Sequence, residues 1–210
     1  MGLISNGTTV FDNGAMASGF SGAMTFIASA TASSSSSLDF TSGISSTYKE
    51  YKFYFVDIHP ASDQTFLQFQ ADTGTNTSYN QTVTSTYFTA YHDESDSGAA
   101  LTYNTSYDLA QAPDFITIAD RTGTDNDQCI AGSLHVFDPA STTFVKHYYA
   151  TTQWQFKNYG GNLQACESFV SGYFNTTSAV DAVRFQMTGG AHFTGTLKMY
   201  GLWVRSDHQS

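Results

Sequence analysis

The chain has 210 residues with a formal net charge of −10, and only 12% of them are charged whereas 15% are aromatic. The few Lys and Arg residues are scattered, with Lys49 and Lys52 the nearest to a pair. Nucleic acids and anionic membranes are therefore not expected partners, because both require clustered basic side chains. Abundant Phe, Tyr and Thr with few helix-forming residues predict a β protein, and the length suits one domain.

Residues 1–22 are rich in glycine and have no sustained periodicity, which predicts an irregular N-terminal arm. Its isolated apolar residues are candidate contacts to a neighbouring protein: Leu3, Ile4, Val10 and Phe11. The first residues lack the basic start and apolar run of a signal peptide, so we expect synthesis in a cytoplasm without export.

Between residues 23 and 204, several segments have apolar residues at every second position, which predicts a single β domain over residues 23–210. The clearest strand is 50–58, which is apolar on both faces and ends at Pro60. It is predicted to be a central strand covered on each side. Further strands are predicted at 24–30, 38–40, 65–71, 81–91, 115–118, 128–137, 143–156, 163–174, 181–187 and 193–204. Short strands between Gly, Asp and Asn turns predict an antiparallel β-sandwich that is jelly-roll-like.

Two cysteines, Cys129 and Cys166, lie in predicted strands. Buried free thiols are the favoured interpretation, because cysteine behaves as a small apolar residue. A disulfide stays open if the two strands are neighbours.

The sequence offers no recognisable catalytic or metal-binding pattern. The acidic segments 92–96 and 125–127 lack the spacing of a calcium loop, and the six histidines lack that of a zinc site. Solvated turns are therefore predicted for both segments, with no metal and no cofactor. No nucleophile motif is present, so an enzyme is not predicted, although paired carboxylates for glycoside chemistry would be juxtaposed only in space.

One stretch is crowded with aromatic residues: Tyr148, Tyr149, Trp154, Phe156 and Tyr159. Two interpretations are open. Exposed rings would form a platform that stacks on a sugar, whereas rings at strand spacing are more often part of a core or a subunit interface.

Several segments along nearly the whole chain resemble a family of structural proteins of marine tailed phages and cyanophages. They are MGLISNGTT (1–9), STYKEYKF (46–53), DIHPA (57–61), YFTAYHDE (87–94), GSLHVFDP (132–139), GYFNTTSA (172–179) and GTLKMYG (195–201). The resemblance implies a virion component. It transfers no catalytic residue.

Two placements in a virion fit this resemblance. In the first, the chain is a capsid decoration (cement) protein, a homotrimer that binds the major capsid protein on the outside of the head, with its arm on a neighbouring subunit. In the second, it is a tail-fibre or baseplate module whose aromatic residues and acidic loops bind host-surface carbohydrate. A carbohydrate-active enzyme is a third, less favoured class, because fold alone does not exclude it.

Overall fold

The computed structural model describes residues 3–5, 8–12, 15–16, 24–74 and 77–203. In these ranges it contains β-strands and one short 3-10 turn, Thr188–Gly190, and every strand pairing is antiparallel. No helix in the described part of the chain is long and apolar enough to cross a membrane. The predicted antiparallel β-sandwich is confirmed.

The strands are numbered in chain order across all sheets. The large sheet of the sandwich has nine of them. They are β4 (Met24–Ser35), β6 (Glu50–Pro60), β8 (Val83–Asp93), β9 (Ala99–Tyr103), β10 (Ala110–Ala112), β12 (Ile130–Phe137), β13 (Lys146–Lys157), β14 (Leu163–Phe174) and β16 (Phe193–Leu202). Their order is β10-β8-β14-β13-β12-β6-β16-β4, and β9 also pairs with β8.

The small sheet has four strands, β5 (Ser37–Phe40), β7 (Thr65–Thr73), β11 (Ile116–Thr122) and β15 (Val180–Met187). Their order in the sheet is β11-β7-β15-β5. Two sheets of nine and four strands differ from a regular jelly roll, which has eight strands in all. The large sheet contains a meander of β12, β13 and β14, each paired with the next.

The N-terminal segment contains more regular structure than its composition predicts. Instead of an irregular arm, it forms a separate sheet of three short strands, β1 (Leu3–Ser5), β2 (Thr8–Asp12) and β3 (Ala15–Met16). The prediction of an irregular segment is therefore wrong for these residues. Glycine weakens a strand but does not forbid one when the neighbouring positions pair.

The inner face of the large sheet packs on the small sheet through aromatic side chains. Phe185 of β15 lies 5.4 Å from Phe53 of β6, between ring centroids, and Phe69 of β7 lies 5.1 Å from Tyr148 of β13. All four are essentially buried. Such edge-to-face and tilted contacts add about 0.5–1.5 kcal/mol per pair beyond the area that the rings bury.

Strand β13 shows how the alternating sequence pattern sets the two faces. Tyr148, Trp154 and Phe156 are buried on the inner face, whereas Tyr149 is exposed on the outer face. Gly172 of β14 lies opposite Tyr148 and makes room for it, since a Cβ there would lie 2.5 Å from the Tyr148 hydroxyl oxygen. The strand is therefore amphipathic although both of its faces carry rings.

Strand β6 corrects one sequence prediction. It is an interior strand of the large sheet and ends at Pro60 as predicted, and Tyr51, Phe53 and Phe55 are buried. Its outer face is not covered, however, because Val56 is 39% exposed. Within the single chain the prediction of cover on both sides is wrong, and an apolar strand face is left in contact with solvent.

The two cysteines do not form a disulfide. Cys166 is buried in β14, as predicted, but Cys129 precedes β12 and is only partly buried. Burial raises the pKa of both thiols, that of Cys166 to about 12.

Candidate functional site

The outer face of the large sheet carries most of the exposed apolar surface of the described residues. The described part of the chain has twelve exposed large hydrophobic side chains. Strand register assigns eight of them to the outer face of the large sheet. The eight are Met24, Phe26, Val56, Phe88, Leu101, Tyr103, Tyr149 and Phe169. We call this surface the outer face.

One end of the outer face is an aromatic row across three neighbouring strands. Phe88 of β8 is directly opposite Tyr103 of β9 on one side and Phe169 of β14 on the other. The rings of Phe88 and Tyr103 lie 5.0 Å apart in an edge-to-face contact. Directly opposite residues on one sheet face contact each other, so the row is a continuous apolar strip.

The middle of the outer face is a stack of three rings on β12 and β13. The His135 ring lies 4.4 Å from Tyr149, and Phe137 lies 5.8 Å from Tyr149. His135 Nδ1 is 2.5 Å from the Glu50 carboxylate. Burial lowers the pKa of His135 and nearby Lys52 lowers it further, while Glu50 acts in the opposite direction. The imidazole is therefore neutral at pH 7, and its Nδ1–H donates a hydrogen bond to the Glu50 carboxylate.

The other end of the outer face is formed by β6, β16 and β4. Tyr200 lies between Tyr54, at 5.7 Å, and Phe26, at 5.5 Å, and both contacts are edge-to-face. The Lys52 ammonium lies 4.5 Å from the centre of the Tyr54 ring. A cation above an aromatic ring keeps its charge while it covers apolar surface.

The outer face is broad and electrically balanced. From β9 to β4 it spans eight strands, a width of about 34 Å at the usual strand spacing. The charges of Lys52 and Lys198 are matched by those of Glu50 and Glu167 on the same face. In a chain with a net charge of −10, this face is therefore close to neutral.

A second candidate site is a cleft at one end of the sandwich, where the segments before β7, before β12 and after β13 meet. It has a volume of about 350 Å³ and mixed polar and aromatic walls. Its lining residues are Asp63, Gln64, Arg121, Gly123, Asp125, Gln128, Phe156, Lys157, Asn158, Tyr159 and Gly161. We call it the loop-end cleft.

The structure separates the five aromatic residues that the sequence placed together. Tyr148 and Trp154 belong to the core, which is one of the two interpretations left open. Tyr149 lies on the outer face, and Phe156 and Tyr159 line the loop-end cleft. The five rings therefore do not form one sugar-stacking platform.

The N-terminal candidate contacts are described only in part. Ile4 is 62% exposed. The side chains of Leu3, Val10 and Phe11 lie outside the described residues.

The acidic segment 92–96 forms a tight turn. The Asp93 carboxylate accepts hydrogen bonds from the backbone N–H of Ser97 at 2.8 Å and from the hydroxyls of Ser95 and Ser97. The Ser97 backbone bond contributes most to lowering the pKa of Asp93. In the described residues no group of three or more His, Cys, Asp or Glu side chains converges as metal ligands would.

Sequence reasoning did not single out Phe88, Tyr103 or Phe169. The signal for Phe88 and Phe169 was present, since 81–91 and 163–174 carry apolar residues in both phases of the strand period.

Comparison with known proteins found no matching family model, no matching curated protein and no matching solved structure.

Proposed function

We propose that this chain is a structural assembly protein that docks onto another protein through the outer face. The observation that carries the proposal is the concentration of eight exposed large hydrophobic side chains on one face of one sheet. Scattered exposed hydrophobic residues need no explanation, but their concentration on one sheet face, with Phe88, Tyr103 and Phe169 in a continuous row, marks an interaction surface.

The size of the patch suits a specific protein interface. A large aromatic side chain offers roughly 150–250 Å². The eight residues are about 40–70% exposed, so together they present on the order of 700 Å². These side chains are interspersed with polar ones such as Thr151, and a standard interface, which also mixes the two kinds, buries about 800 Å² per partner.

The balanced charge of the outer face favours a protein partner whose surface carries both apolar and charged side chains. Lys52 and Lys198 balance Glu50 and Glu167, and Glu50 is held by His135. Docking would then bury aromatic rings without leaving an excess of one charge at the centre of the interface, which would otherwise oppose binding.

The resemblance of the sequence to phage structural proteins indicates the partner. We propose that the chain decorates the exterior of a phage head as a cement protein, as a homotrimer on the major capsid protein. Contacts that the outer face makes with the shell would add buried apolar surface and so stabilise the head against internal pressure. The N-terminal strands, with Ile4 exposed, would contact a neighbouring subunit.

The proposal is tested by co-sedimentation with phage heads assembled without this chain. Phe169→Asp places a charge in the aromatic row at a side chain that is 41% exposed, so the fold tolerates it. We expect binding to fall at least about tenfold, because the carboxylate would lose its hydration in the interface. The matched control is Phe144→Asp, at a side chain that is 71% exposed in the loop before β13 and off the outer face.

Circular dichroism and melting curves first establish that both variants fold like the wild type. Equal binding of Phe169→Asp and wild type would contradict docking through the outer face. Loss of binding in both variants would also contradict it, because the effect would not depend on the face.

A further inference from the structure

The loop-end cleft is separate from the outer face and is built by residues distant in sequence. The segment 121–128 precedes β12 and the segment 157–161 follows β13, so both lie at the end of the sandwich opposite the β12–β13 loop. Its volume of about 350 Å³ lies within the roughly 300–1,000 Å³ of small-molecule sites.

One wall of the cleft presents a fixed guanidinium group. Arg121 lies 4.6 Å from the centre of the Phe156 ring, and its Nε donates to both oxygens of buried Asp120, at 3.1 and 3.2 Å. Arg121 has a φ of 35°, a left-handed conformation that is unfavourable for a non-glycine residue. Its two Nη groups donate no hydrogen bond within the described part of the chain, so they remain available to a ligand.

Another part of the cleft lining presents the Asp63 carboxylate, which two hydrogen bonds hold in place. Asp63 accepts the backbone N–H and the hydroxyl of Thr124 through Oδ1, both at 2.8 Å, and these bonds lower its pKa. The second oxygen of Asp63 makes no hydrogen bond among the described residues. A Cβ at Gly123 would lie 2.5 Å from Oε1 of Gln128, which accepts the Gly123 N–H, so a larger residue there would displace the Gln128 side chain.

The rim of the cleft carries the most exposed ring on the described surface. Tyr159 is 92% exposed. It lies on a turn closed by Asn158, whose Oδ1 accepts the N–H groups of Gly160 at 2.9 Å and Asn162 at 3.0 Å. A ring held out on a closed turn, with no ring partner within the described residues, is free to stack on a ligand.

The charges of the lining residues decide the class of ligand. Asp125 is paired with Lys157, whose ammonium lies 3.6 Å from its carboxylate, and Arg121 is paired with Asp120, so Asp63 has no basic partner among the described residues. An anionic ligand would meet two carboxylates in a chain of net charge −10. A neutral polyhydroxyl compound instead offers hydroxyl donors to Asp63 and acceptors to Arg121.

We propose that the loop-end cleft binds a neutral saccharide, with one sugar ring stacked on Tyr159 and adjacent hydroxyls hydrogen-bonded to Arg121 and Asp63. A pyranose has an apolar face and a polar edge, and the cleft offers a ring beside convergent donors and acceptors. The inference does not depend on docking through the outer face.

Binding is measured on the purified chain with an array of neutral and acidic glycans. Calorimetry with the best neutral glycan follows. We expect neutral glycans to bind, and sialylated and uronic-acid glycans to bind more weakly. Tyr159→Ala should weaken binding at least fivefold without changing the melting temperature, because the side chain is almost fully exposed. Asp63→Asn should weaken it as well.

The control is Phe144→Ala, which removes an exposed ring at the other end of the β12–β13 hairpin and should leave glycan binding unchanged. Three results would overturn the proposal. They are the absence of binding across the neutral glycans, preferential binding of acidic glycans, and equal affinity of Tyr159→Ala and wild type.

Discussion

The substitution Ser168→Ala tests the buried hydrogen-bond network beneath the outer face. Ser168 of β14 is fully buried, and its Oγ accepts the indole N–H of Trp154 at 2.9 Å. The same oxygen lies 2.7 Å from the Tyr87 hydroxyl. The network therefore joins β8, β13 and β14, and two of these strands carry Phe88 and Phe169 on their other side.

Alanine at position 168 removes the shared partner and leaves two buried polar groups without it. Each unsatisfied group costs about 1–3 kcal/mol, so we expect the free energy of unfolding to fall by about 2–6 kcal/mol. For a domain of this size that corresponds to a decrease in melting temperature of roughly 4–24 °C. Urea unfolding followed by tryptophan fluorescence measures the free energy, and thermal unfolding followed by circular dichroism measures the melting temperature.

Ser171→Ala is the matched control on the same strand. Ser171 is exposed on the outer face and shares a hydrogen bond of 2.9 Å with Thr86, so we expect a change within about 0.5 kcal/mol. Trp154→Phe in the Ser168→Ala background should cost less than in the wild type, because the indole N–H has already lost its acceptor. A Ser168→Ala variant as stable as the wild type would refute the reasoning.

Two further predictions concern titratable groups. Because the pKa of His135 is lowered in the folded state, the folded chain binds fewer protons than the unfolded chain below about pH 6.5. The contribution of neutral His135 to stability is therefore lost as the pH falls. The melting temperature of wild type relative to His135→Gln should therefore fall between pH 7 and pH 5, and a constant difference would contradict this. Cys129 and Cys166 should give an intact mass without a disulfide, and buried Cys166 should react with a thiol reagent only on unfolding; rapid modification of both native thiols would contradict their placement.

The fold class could be predicted from the sequence because it depends on a local signal. Strands such as β6 and β13 follow from period-two hydrophobicity within about ten residues, and Pro60 and the Gly and Asp turns set their ends. The phase of β13 could not be predicted, because Tyr148 and Tyr149 are alike locally. Pairing with Gly172 of β14 gives Tyr148 the space to face inward.

The candidate sites were less accessible to sequence reasoning because they depend on long-range pairing. The row of Phe88, Tyr103 and Phe169 forms only when β8, β9 and β14 align in register. The loop-end cleft brings Asp63 and Arg121 together from opposite ends of two strands. Neither arrangement has a local motif. The apolar residues on both faces of β6 predicted cover on both sides, which the single chain does not provide.

The most direct test of docking through the outer face is a cryo-electron microscopy reconstruction of the phage particle that contains this chain. The proposal predicts density for the sandwich on the outside of the head, with Phe88, Tyr149 and Phe169 buried against the shell or a neighbouring subunit. Density on the tail, or a sandwich bound to the shell with these three side chains facing solvent, would contradict it.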